Sequence, residues 1–111
     1  MRQLVFLFIF SFALISQAFA HPPSDIKVKI DGTRVSVDIL HAVADPAKHY
    51  IYQVFVNLNG ARIIEQKSNL QSDNNKQVVA YNIPSLKKGD KLVVWAGCIK
   101  GGDLSKEVKV D

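Results

Sequence analysis

The sequence predicts an all-β domain of about seven strands folded as a two-sheet sandwich, preceded by a removable export signal. Three observations carry that prediction. Short runs of β-branched and aromatic residues alternate with period two, turn residues separate them at close intervals, and no helical period occurs beyond the first twenty residues.

Residues 1–20 have the layout of a secretory signal. Arg2 gives a positive start, Leu4 to Ile15 is almost wholly apolar, and Ala18-Phe19-Ala20 supplies the small-x-small pattern that precedes cleavage. Cutting after Ala20 makes His21 the new N-terminus of a mature domain spanning residues 21–111. Ser11 and Ser16 interrupt the apolar run, and it is shorter than the roughly 20 residues a spanning helix needs. The expected destination is the bacterial periplasm or the outside of the cell, with no membrane association after cleavage.

Within the mature chain, Ile26, Val28 and Ile30 alternate with polar neighbours, Asp31-Gly32 turns, and Val35, Val37 and Ile39 alternate again, which predicts a hairpin. Tyr50 to Leu58 is the strongest β segment, with Asn59-Gly60 as the next turn and Arg62 to Glu65 as a shorter return strand. A polar loop, apolar only at Leu70, follows from Lys67 to Asn75. Gln77 to Ile83 resumes the alternation until Pro84, and Lys88-Gly89-Asp90 leads into Leu92 to Ile99. Gly101-Gly102 makes the last turn before Glu107 to Val110. Seven short strands in about 90 residues fit an immunoglobulin-like Greek-key β-sandwich, with a Greek-key barrel as the alternative. Tyr50 and Trp95 are expected in its core.

Losing the signal removes Arg2, so 13 of the 14 basic residues remain against 10 acidic ones, a surplus of three. The surplus is scattered, with no basic run and no aromatic-basic interleaving, so nucleic acid is not an expected partner. Cys98 is the single cysteine and cannot form an internal disulfide.

The three histidines, His21, His41 and His49, all lie in the first third of the mature domain. His41 and His49 bracket a loop at a strand end and a strand start. His21 precedes the first strand and Cys98 closes a late one, so all four can meet at one rim of a sandwich. Imidazole with thiolate suits iron, copper or zinc and does not suit calcium or magnesium. Lys48 and Lys100 are the cations nearest in sequence to these groups, and either can attract a small anion.

These residues resemble the desulfoferrodoxin and superoxide reductase iron-binding domain family. The resemblance rests on His21, His41, His49-Tyr50-Ile51, Asn59-Gly60 and Cys98, and spans essentially the whole mature chain. It implies an immunoglobulin-like sandwich holding one non-haem iron, with His21, His41 and His49 as equatorial ligands and Cys98 as the axial one. It also implies reduction of superoxide by one electron and two protons to hydrogen peroxide, with a separate protein as electron donor; the lysine the family carries just before its first histidine is absent, and Lys48, next to His49 in sequence, is the candidate catalytic cation. The chain departs from the family's late Cys-Asn-x-His-Gly motif: it reads Cys98-Ile99-Lys100-Gly101-Gly102, with Gly101 in place of the fourth histidine. A free α-amine on His21 would replace the lost nitrogen, and an amine-imidazole chelate also suits copper, the alternative metal.

A second resemblance, carried by His49 to Val54, Leu58-Asn59-Gly60 and Lys88 to Lys91, is to the non-cysteine partner subunit of the periplasmic thiosulfate-oxidation sulfur carrier. It implies metal-free binding, a function with no need of His21 and Cys98. The sequence leaves the oligomeric state open, a homo-oligomer included.

Overall fold

In the computed structural model, which describes residues 21–111, seven strands follow one another with no helix among the described residues. They are β1 (Asp25–Asp31), β2 (Arg34–Leu40), β3 (Ile51–Leu58), β4 (Ala61–Lys67), β5 (Lys76–Asn82), β6 (Lys91–Cys98) and β7 (Asp103–Lys109). The expected signal segment, residues 1–20, lies outside the described residues.

Local chemistry fixes two of the hairpins. Asp31 pairs with Arg34, leaving Gly32-Thr33 as a two-residue loop in which Gly32 has φ +64°, the left-handed first position that a type II′ turn reserves for glycine. Leu58 pairs with Ala61, and Asn59 (φ +51°) and Gly60 (φ +89°) both take positive φ, as a type I′ turn requires. Both turns match the right-handed twist of the strands they join.

The strands form two antiparallel sheets, ordered β1-β2-β5 and β4-β3-β6-β7. The chain changes sheet between β2 and β3, β4 and β5, and β5 and β6, which is the Greek-key pattern of an immunoglobulin-like sandwich. Alternate side chains of both sheets meet in one core: Ile26, Val35, Val37, Ile39 and Val79 from the first, Ile51, Val54, Val56, Leu92, Val94 and Ala96 from the second. Each buried branched aliphatic there contributes about 1.5–3 kcal/mol.

Two sequence expectations are corrected. The last strand begins at Asp103 rather than Glu107, because the tight turn at Gly101-Gly102 lets Asp103 pair with Gly97 at once. Trp95 and Tyr50 are not core residues. Trp95 falls on the outward phase of β6, where its ring stacks on Phe55 at 4.8 Å, and the Arg62 guanidinium lies 3.7 Å over the Phe55 ring. Gly97 makes room for that indole, since a Cβ there would meet Trp95 at 2.5 Å.

Antiparallel pairing also decides where the chemistry-bearing residues go. Asp25 pairs with Leu40 and Ile51 with Cys98, and the contacts of the His49 ring with those of His21 and His41 bring the start of β1, the end of β2, the start of β3 and the end of β6 to one pole. His21, His41, His49 and Cys98 sit at or just beyond those four positions.

Candidate metal centre

At that pole the three imidazoles face one another. Ring centroids are 4.8 Å apart for His21–His41, 4.8 Å for His21–His49 and 5.0 Å for His41–His49, and one nitrogen from each lies within 4.8 Å of the others. Cys98 Sγ is 3.2 Å from His49 Nε2 and accepts from the Lys100 backbone N–H at 3.4 Å. Cys98 and His41 are buried, His21 and His49 half-buried.

Each side chain is aimed by its backbone. Lys48 and His49 both donate their N–H to Asp45 O, at 3.0 and 2.9 Å, a tight turn that swings His49 back toward the pole. Gly101 donates to Cys98 O at 2.9 Å and Cys98 to Gly102 O at 3.0 Å, which closes the β6–β7 turn beneath the sulfur. Ser24 donates to Leu40 O at 2.8 Å, continuing the β1–β2 ladder toward His21.

The polar loop after β4, featureless in the sequence, supplies a residue that sequence reasoning missed. Gln71 is 1% exposed. Its Nε2 donates to His41 O at 2.8 Å and Asp73 O at 3.0 Å, and its Oε1 lies 2.8 Å from His41 Nδ1. Because the amide nitrogen serves two carbonyls, the amide cannot flip, and its oxygen must accept from His41 Nδ1–H. His41 Nε2 is therefore the lone-pair nitrogen, and it is buried without any hydrogen-bond partner. A buried acceptor left unsatisfied costs about 1–3 kcal/mol; a metal ion is the partner this one fits. A ligating histidine almost always donates its other N–H in this manner. No motif announces Gln71 in the sequence, since it lies in a run of Asn, Ser and Asp.

One pair of donors already has the spacing of ligands on a shared ion. With metal–nitrogen and metal–sulfur bonds of about 2.1 and 2.3 Å, as zinc sites show, two ligands at a right angle stand about 3.1 Å apart, against the 3.2 Å between His49 Nε2 and Cys98 Sγ. Two nitrogens on one ion stand at most about 4.2 Å apart, so a shared ion would require the histidine trio, now within 4.8 Å, to draw in. Burial, reinforced by the neighbouring His41, His21 and Lys100, holds the His49 imidazole below its ordinary 6.5. That favours its neutral, ligating form.

Beside the imidazoles is an open cleft of about 290 Å³, bordered by His21, His49, Asp45, Lys48 and Lys100. Both lysines are exposed. A larger groove of about 470 Å³ lies at the other pole, against Gly32, Thr33 and the end of β7, with no histidine near it.

Fold and pole together define an immunoglobulin-like sandwich carrying a mixed imidazole–thiol cluster at one end. The chain shares its fold with superoxide reductases. The Giardia intestinalis superoxide reductase superposes with a TM-score of 0.64 at 16% identity, covering 81% of this chain and 100% of that one. A superoxide reductase in the oxidised state gives 0.53 at 18% identity, covering 82% and 88%, and a hypothetical protein from Pyrococcus horikoshii gives 0.53 at 15%, covering 82% and 87%. No protein-family model and no curated protein sequence matches the chain.

Proposed function

We propose that the chain is an exported mononuclear non-haem iron protein of the superoxide reductase type, which reduces superoxide to hydrogen peroxide with an electron from a separate donor protein. The observation that carries the reading is the convergence of His21, His41, His49 and Cys98 at one pole, with His41 Nε2 buried and unpartnered. These four residues would hold the iron, which when bound supplies the electron to superoxide.

The chain's own residues do the rest. Gln71 holds His41 with its lone pair turned into the cluster. Cys98, kept at the end of β6 by its turn, would offer the iron an electron-rich sulfur, a donor that favours giving up an electron. Lys48 and Lys100 border the cleft through which a small anion approaches and raise its local concentration. Solvent reaches the open cleft and delivers the two protons.

Metal analysis and optical spectroscopy on protein purified from its native compartment, with Cys98→Ser alongside, test the reading. The expected result is one iron per chain and a visible sulfur-to-iron band that the variant lacks. In a superoxide assay with a chemical reductant, reduction yields one peroxide per superoxide consumed, and dismutation half that. A colourless, metal-free protein sinks the proposal and returns the sulfur-carrier reading. N-terminal sequencing beginning anywhere but His21 sinks the proposed site of cleavage.

A further inference from the structure

The N-terminal segment is seated on the metal pole by a specific packing contact. Gly102 has φ +92°, and a Cβ there would stand 2.8 Å from Pro22 N, closer than real Cβ atoms come, and 3.0 Å from Pro22 Cα. The glycine thus lets Pro22, and the His21 backbone bonded to it, lie directly on the turn that carries Cys98 and Lys100. His21 adds its imidazole to the cluster from this position, and its Nδ1 has only a long contact, 3.3 Å to Pro22 O. Gly101, in the same turn, contributes no side-chain donor.

In an uncut chain the His21 nitrogen belongs to an amide, its lone pair delocalised into the Ala20 carbonyl, and it is no ligand. Hydrolysis of the Ala20–His21 bond by water, at an export-signal peptidase, leaves a carboxyl on Ala20 and a free amine on His21. That amine and His21 Nδ1 close a six-membered ring on a shared metal. We propose that signal cleavage is an assembly step of the metal centre: the freed α-amine of His21 becomes its fourth nitrogen donor, so that the site reaches full affinity only after export. The inference rests on the metal-binding reading above. Its consequence is that the precursor competes poorly for iron before it crosses the membrane.

The test compares three forms: the chain beginning at His21, the same chain with Gly-Ser ahead of His21, and the first form acetylated at its α-amine. Fe(II) affinity is measured without oxygen, and thermal melting of the metal-free forms checks that the fold is unchanged. Chelation is intramolecular binding, so the free amine strengthens Fe(II) binding by roughly tenfold or more over both blocked forms. Saturating Fe(II) also protects the α-amine from an acylating reagent. Equal affinity in all three forms, or an amine that acylates equally fast with and without Fe(II), overturns the inference and leaves the iron site standing. Failure of all three forms to bind Fe(II) overturns both.

Discussion

Replacing Gln71 by leucine removes three hydrogen bonds at once, from His41 Nδ1–H and to the carbonyls of His41 and Asp73. At about 1 kcal/mol each the loss is roughly 3 kcal/mol, a large part of the ~5–14 kcal/mol expected for a domain of this size. For such a domain each kcal/mol lowers the melting temperature by about 4–8 °C, so metal-free Gln71→Leu should melt roughly 12–24 °C below the parent by circular dichroism. With His41 free to change tautomer, Fe(II) affinity should fall by roughly 10–100-fold. Gln71→Glu separates the two roles. One carboxylate oxygen still accepts from His41 Nδ1–H and sustains the affinity, while the other faces two carbonyl oxygens and lowers the melting temperature. Gln71→Leu that melts and binds Fe(II) like the parent would refute the argument from tautomer to site.

Reversing the cations beside the cleft, with Lys48→Glu and Lys100→Glu together, should slow the second-order reaction with superoxide at low ionic strength by roughly tenfold or more while leaving Fe(II) stoichiometry unchanged; the difference should shrink as salt screens it, and pulse-radiolysis rates across a salt series are the check. Asp90 accepts from Asn59 Nδ2, Lys87 N–H and Lys87 Nζ, led by the Asn59 contact, and these hold its carboxyl at about 2 against an ordinary 3.8. Its folded form thus resists protonation more than its unfolded form does, so its contribution is complete above about pH 4 and is lost as pH falls through about 2. Asp90→Asn should be less stable at neutral pH and show a shallower loss between pH 4 and 2 in acid denaturation. Gly97→Ala displaces the Trp95 ring it would strike at 2.5 Å, so tryptophan fluorescence should change while Fe(II) binding does not.

The strands were legible because one face of each sheet is buried, and burial imposes the alternation seen at Val35, Val37 and Ile39 or at Leu92, Val94 and Ala96. The outer faces obey no such constraint. Trp95 is expected in the core from sequence, yet its ring packs outside it by stacking on Phe55. The start of β7 was missed for a related reason: of Asp103 to Ser105 only Leu104 packs toward the core, too little apolar sequence to signal a strand. The gathering of the three histidines was legible because strand ends in a sandwich have only two poles to occupy, and the hairpin β1–β2 commits His21 and His41 to one of them.

What sequence withheld is the part of the site that no strand holds. Gln71 reaches His41 because the loop after β4 is laced to the loop after β2: Asn74 Nδ2 donates to Val43 O and Ala44 O, Val43 N–H to Asn74 O, and Gln71 N–H to Pro46 O. These bonds join residues 25 to 31 positions apart, and each uses a backbone group or a common polar side chain, so no local pattern marks them. The strand lattice therefore chooses which residues come to the pole, while the two laced loops choose which nitrogen of His41 faces inward. A sandwich with the same strands and a different polar loop would keep the histidines together and lose the fixed, inward lone pair of His41 Nε2.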